Sequence, residues 1–180
     1  IRAEGGIHIQ PGQDPYHANE DLLIYFSSPD LESHDYPAIP TYIPVEQPPA
    51  GYMRLLYGRT PLHTFNRSIN NPWLIHEAPI NPVWVNDKGA ARLGLKNGDT
   101  VRLVNQDGVE SHTTTIVKVT PGIREDAVYL YHGYGTRNKE MTFSVDKGVD
   151  DTSLITRLAI DPETGAHGMR NNFVKLVKVG

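Results

Sequence analysis

From Tyr52 to the C-terminus the chain reads as short strand segments, each cut off by a turn signal, with one helix among them. Met53–Tyr57 is largely apolar and stops at Gly58, and Pro82–Val85 is a brief apolar run. Thr100–Asn105 alternates apolar and polar side chains and closes on Gln106-Asp107-Gly108, a hairpin turn. Val109–Val119, rich in Thr and Val, runs to Thr120-Pro121-Gly122; Ala127–Tyr131 and Phe173–Val179 complete the set. Alternation of this kind buries one face of a strand and leaves the other to solvent, and β-branched side chains suit it. A helix is expected over Asp87–Leu93, where Asn86 is placed to cap, Asp87 favours the positive end of the dipole, and Gly94 is the stop. At least six strands with one helix predict a mainly β domain, a barrel or a barrel-like core.

The preceding residues have a different texture. Gly5-Gly6, Pro11-Gly12, Asp14-Pro15, Ser28-Pro29, Pro37, Pro40, Pro44 and Pro48-Pro49 interrupt every run, and only Leu22–Phe26 reads as a strand. Such a segment builds no core of its own. The expected organisation is an extended arm or connector over residues 1–51 and a β domain over residues 52–180. Aromatic residues at Tyr16, Tyr25, Phe26, Tyr36 and Tyr42 favour an arm lying on a partner surface over a free linker. The chain opens on Ile1 rather than Met, so a processed product or a piece of something longer is expected.

Composition removes several function classes. The length of 180 residues and a 38% hydrophobic content suit one packed core. No window approaches the ~18 consecutive apolar residues of a membrane span. A net charge of −4 argues against a purely electrostatic nucleic-acid binder. Cys is absent, which excludes disulfides, a Cys-ligated zinc, an iron–sulfur cluster held by this chain, and a thiol nucleophile.

The residues that carry chemistry cluster at strand ends. Gly58 to Pro72 is donor-rich: Arg59, His63 and Arg67 bring cationic or N–H groups, Thr60, Thr64 and Ser68 hydroxyls, and Asn70 and Asn71 amides. Guanidinium forks match phosphate oxygens, amides and hydroxyls suit the edge of a heterocycle, and Gly58 lets a bound group approach the backbone. A phosphorylated heterocycle fits this loop; so does an ordinary polar turn whose Thr and Asn satisfy themselves. His132-Gly133-Tyr134-Gly135 leaves room for a flat ligand beside a donor, or is a glycine turn with a packed tyrosine. His167 to Asn172 is a third donor cluster, at the entrance of the last strand. His76-Glu77 lacks the second His of a zinc-protease helix, and Asp151-Thr152-Ser153 lacks the glycine of an aspartic-protease motif. Neither carries an assignment.

The ordered strings point to a family. Arg54–Ser68 (RLLYGRTPLHTFNRS) with Asn70–Leu74 resembles the opening of the C-terminal domain of molybdopterin oxidoreductases, and so do Asn81–Asp87 (NPVWVND) and Ala91–Leu103 (ARLGLKNGDTVRL). Thr120–Ile123 (TPGI), His132–Gly135 (HGYG) and Gly168–Val174 (GMRNNFV) continue the resemblance in order. Gly58–Thr64 and Met169–Val174 are most similar to the thiosulfate, polysulfide and tetrathionate reductase branch. The resemblance implies a double-psi β-barrel, with one or a few short helices, that helps hold a bis(molybdopterin guanine dinucleotide) cofactor carrying Mo or W. On that basis Gly58, Arg59, Thr60, His63, Thr64 and Arg67 are expected along the pterin and pyrophosphate, with Asn70 and Asn71 nearby. His132 and Gly133 are expected beside the same ligand, and Asn172 is expected to touch it from the last strand. No catalytic or metal-ligating residue is expected here, and the isolated chain is expected to be catalytically silent. The implied partners are the remaining domains of a catalytic subunit and an iron–sulfur electron-transfer subunit, with no nucleic acid and no membrane insertion. Periplasm is the compartment the resemblance favours over cytoplasm. Two other readings stand beside it: a free-standing double-psi barrel recognising a peptide or protein, and a small enzyme using its own His and Asp groups.

Overall fold

The structure, a computed structural model, describes residues 26–39, 41–162 and 165–180. The strand expected at Leu22–Phe26 lies outside the described residues except for Phe26, an exposed bend. The chain divides into two compact units between Val45 and Glu46. In the first, Pro29–Ser33 forms a one-turn helix (α1); the Ser28 hydroxyl accepts from the Leu31 N–H at 3.3 Å and Pro29 opens the turn.

The second unit is a closed barrel of six strands, β1 (Met53–Gly58), β2 (Val83–Val85), β3 (Thr100–Asn105), β4 (Thr115–Val119), β5 (Ala127–Tyr131) and β8 (Phe173–Lys178). Around the barrel they run β1-β5-β2-β4-β3-β8 and close on β1. The pairs β1–β5 and β2–β4 are parallel and the other four antiparallel, as a double-psi β-barrel requires. A small hairpin, β6 (Ala159–Ile160) with β7 (His167–Gly168), stands outside it. Leu55, Val83, Val85, Val101, Leu103, Val117, Val128, Leu130 and Val174 fill the interior, each inaccessible or nearly so. Burying a side chain of this size contributes roughly 1.5–3 kcal/mol.

Local structure follows the sequence in most places. Helix α3 (Asp87–Arg92) is capped by Asn86, whose Oδ1 accepts from the N–H groups of Lys88 and Gly89. The strand expected over Val109–Val119 is a correction. Only Thr115–Val119 forms a strand, with an isolated antiparallel bridge between Glu110 and Val104 before it; the run breaks where the Ser111 Oγ accepts from the Leu103 N–H at 3.1 Å and donates to the Thr113 carbonyl at 2.8 Å. Helix α2 (Pro72–Glu77) was hidden in the polar loop; Asn71 caps it and Pro72 takes its first position. Among the described residues no helix is long and apolar enough to cross a membrane.

Two registers position the candidate site. In the parallel pair Gly58 lies opposite Tyr131, and the His132 N–H donates to the Gly58 carbonyl at 2.8 Å. The loops that begin at Arg59 and His132 therefore leave the barrel at one rim. Strand β8 runs antiparallel to β1, with Arg54 opposite Phe173, so the residues just before β8 head toward that same rim.

Candidate functional site

Five side chains form a row across this rim. The Arg59 guanidinium lies over the Phe65 ring at 5.2 Å, Phe65 meets His132 edge-on at 5.3 Å, and His132 meets Tyr57 at 5.9 Å. Arg170 closes the row over Tyr57 at 5.7 Å. Each cation–π contact is worth on the order of 0.5–1 kcal/mol when exposed, enough to bias two long arginines toward the rim. Phe65 holds its place at φ +48°, a left-handed conformation that a bulky residue rarely adopts. Gly133 makes this possible. At φ +100° it has no Cβ to collide with the backbone of Phe65 and Asn66, which would lie 2.6–2.7 Å away.

Behind His132 sits Asp151. Its Oδ2 is 2.8 Å from His132 Nδ1, the residue is 0% exposed, and Oδ1 has no partner. Burial pushes the Asp151 carboxyl up from its ordinary value, opposed by the hydrogen bond and charge of His132. Burial likewise raises Tyr57 and drives Tyr134 to about 12. In front of His132 opens a cavity of about 540 Å³ lined by Asn66, Arg67, Ile69, His132, Gly133, Tyr134, Gly135, Thr136, Arg137, Met141, Asp150 and Thr152. Neither the Arg67 nor the Arg137 guanidinium has a hydrogen-bond or ion-pair partner among the described residues, and both residues are exposed. Two uncommitted guanidiniums facing one cavity suit an oxyanion.

Of the residues expected at the site, Arg67, His132 and Gly133 line this cavity together, and Arg59 joins them through Phe65. Arg59 also borders a separate apolar cleft of about 440 Å³ with Leu56, Pro61, Trp84, Gly122, Ile123, Tyr129 and Tyr131. His63 is buried edge-on to Tyr134 at 5.6 Å, with Nδ1 3.4 Å from the Ser68 hydroxyl and Nε2 unpartnered. Thr60 is buried and accepts from the Leu62 N–H at 3.4 Å; Thr64 is exposed and its N–H donates to Ser68 Oγ at 2.8 Å.

Four of the expected residues make close contacts within the protein. A Cβ on Gly58 would meet the Tyr129 hydroxyl at 2.7 Å, so this glycine makes room for a neighbouring phenol. Asn70 Oδ1 accepts from the Phe143 N–H at 3.0 Å and the Ser144 hydroxyl at 3.3 Å. The Asn71 side-chain oxygen is consumed by capping α2. Asn172 is 0% exposed; its Oδ1 accepts from Gln106, Thr156 and Arg157, and its Nδ2 donates to the Arg157 and Met169 carbonyls. All four brace the rim. Three residues with a stronger claim on the cavity or its rim carried no assignment from sequence: Arg137, Asp151 and Arg170. Arg170 stood in a donor cluster, and Arg137 follows the His132–Gly135 turn closely; Asp151 stood only in an incomplete aspartic-protease motif, which gave no pointer to His132.

The fold is thus a closed double-psi β-barrel with a cavity at one rim lined by two arginines and a histidine. Residues 53–172 match the family model of the molydopterin dinucleotide binding domain, and the chain belongs to that family. It is 31% identical over 100 residues to the thiosulfate reductase molybdopterin-containing subunit PhsA of Salmonella typhimurium, covering 56% of this chain and 13% of that protein. Acetylene hydratase from Pelobacter acetylenicus shares the fold at a TM-score of 0.65 and 19% identity, over 86% of this chain and 23% of that one. The chain thus spans a small part of the length of both relatives, and it corresponds to one domain of a larger molybdopterin enzyme subunit.

Proposed function

We propose that the rim cavity receives the phosphate-bearing part of molybdopterin guanine dinucleotide, with Arg67 and Arg137 on its oxygens and His132 behind them. The observation that carries this reading is the pair of guanidiniums left without a protein partner on one cavity of about 540 Å³. Buried cations find partners within a protein, and exposed ones facing a concave surface find them in a ligand. The donor set fits the group: two guanidiniums, an imidazole, and the hydroxyls of Thr136 and Thr152 favour oxyanions, against the single carboxylate of Asp150 on the lining. Arg59 and Arg170 extend the positive rim on either side of the Phe65–His132–Tyr57 row, where a flat pterin has aromatic and cationic neighbours. His63, buried edge-on to Tyr134 with Nε2 unpartnered, offers a further ring nitrogen assigned to the same ligand.

When bound, the cofactor supplies the redox chemistry at its Mo or W ion. This chain's residues anchor and orient it, and their charge and hydrogen bonds tune its electron density. The parent enzyme is proposed to be a sulfur-oxyanion or polysulfide reductase that passes electrons through an iron–sulfur subunit. Support for this comes from the 31% identity to a thiosulfate reductase subunit. The test is the parent enzyme carrying Arg67→Ala together with Arg137→Ala, assayed for pterin and metal content. Occupancy is expected to fall well below wild type. Unchanged occupancy would show that the cavity does not hold the cofactor's phosphates.

A further inference from the structure

The Asp151–His132 pair has a property that neither its family nor its cavity explains. Asp151 is fully enclosed, its Oδ1 has no partner, and its Oδ2 lies 2.8 Å from His132 Nδ1, the one side chain it bonds among the described residues. An isolated carboxylate in such a place is strongly disfavoured, and a neutral pair is the form the interior tolerates. A neutral pair holds one proton more than carboxylate plus neutral imidazole. Two arrangements satisfy that count. In the first the ring is an imidazolium and both nitrogens bear hydrogen; in the second the carboxylic acid donates to Nδ1 and the ring hydrogen sits on Nε2. Both put a hydrogen on Nε2.

We propose that Asp151 is a positioning residue for His132, and that the pair keeps one proton so that Nε2 meets the cavity as a hydrogen-bond donor. This rests on the reading of the cavity as a ligand site and deepens it. His132, Arg67 and Arg137 become a cluster of donors on a lining whose one carboxylate is Asp150, and that cluster favours a fully ionised oxyanion such as a diphosphate over a ligand offering it N–H or O–H groups. Burial raises the Asp151 carboxyl, in the direction this requires. The charged and titratable groups around the pair are Asp150, whose charge also raises Asp151, Tyr57 and Tyr129, which feel Asp151 and Arg170, and the cavity's two arginines.

The experiment uses the whole 180-residue chain. With ¹⁵N-labelled histidine at neutral pH, and His132→Gln to identify the signals, Nε2 of His132 is expected at the position of a proton-bearing nitrogen. Nε2 at the position of a bare nitrogen overturns the proposal outright. Asp151→Ala is expected to release the ring to an ordinary mixture of tautomers and to weaken binding of inorganic pyrophosphate about tenfold. Asp151→Asn, whose amide can donate to Nδ1 and leave the hydrogen on Nε2, is expected to restore both. A failure of Asp151→Asn to restore either, in a folded protein, also overturns it; if Asp151→Ala does not fold, the wild-type signal and the Asn variant decide. If pyrophosphate does not bind the wild type while the Nε2 signal is as expected, the ligand reading falls and the proton-holding pair stands.

Discussion

Two polar regions flank the same barrel, and by composition they are hard to tell apart. One is the knot around Asn172, built from Asn105, Gln106, Asp107, Thr156 and Arg157; the other is the rim of Arg59, Arg67, His132, Arg137 and Arg170. In the knot every side chain has a hydrogen-bond partner within the protein. Asn172 spends both amide atoms on five contacts, and Arg157 Nη2 meets Asp107 Oδ1 at 2.8 Å. At the rim the guanidiniums rest on rings or on nothing, and the one buried acid keeps a bare oxygen. The difference is satisfaction, not polarity. A saturated network stiffens the fold, and an unsaturated one is held ready for something outside it.

The comparison breaks most visibly where the rim itself depends on packing. Gly133→Ala places a methyl 2.6–2.7 Å from the Phe65–Asn66 backbone at a φ that alanine resists. A loss of about 4 kcal/mol in urea unfolding is expected, the sum of overpacking and left-handed strain. If Gly133→Ala is neutral, the rim is softer than a site needs. Next is Asn172→Ala, which strands five partners in a buried knot and is expected to cost about 3 kcal/mol by the same measurement. A loss below about 0.5 kcal/mol would show that these bonds do not brace the fold.

The knot also carries an acid signature. Hydrogen bonds from Arg157, Thr156 and Gln106 lower the Asp107 carboxyl to about 2. A carboxylate depressed in the folded state contributes stability above its unfolded value, near 3.9, and loses it as pH falls through about 2. Asp107→Asn is therefore expected to flatten the fall in stability between about pH 4 and pH 2, read by denaturant titrations at each pH. An unchanged acid limb would show that these bonds do not persist in solution.

How much of this the sequence disclosed depends on the range of the interaction. Strands β1, β3, β5 and β8 and the capped helix α3 were legible because alternation and capping are written within a few neighbouring residues. Helix α2 carried an equally local signal, Asn71-Pro72, obscured by reading the whole stretch as a ligand loop. The break before β4 was illegible because Ser111 competes with the ladder through the backbone of Leu103 on another strand. The site divides in the same way. Arg59, Arg67 and His132 stood out by residue type at strand ends. Asn172 stood out equally and turned inward, and Asp151 was passed over as the remnant of a protease motif. Whether a polar group is satisfied is a tertiary property; the resemblance to a family could place the loops but not their hydrogen bonds.

The smallest effect on stability is the sharpest test of the contrast. The Arg67 side chain is exposed and bonds to no described residue, so Arg67→Ala is expected to change unfolding free energy by no more than about 0.5 kcal/mol. Binding of inorganic pyrophosphate to the same variant is expected to weaken about tenfold, since a charge-assisted fork to an oxyanion is lost. Asn172→Ala should show the reverse balance, a large stability loss that lowers binding only as far as the rim loosens. Calorimetry and urea unfolding on both variants place each residue on two axes. If Arg67→Ala costs stability and spares binding, its guanidinium has a partner within the protein and the rim is a second knot. If it spares stability and costs binding, unsatisfied cations at a barrel rim mark the ligand site, and the same criterion then assigns Arg137 without further inference.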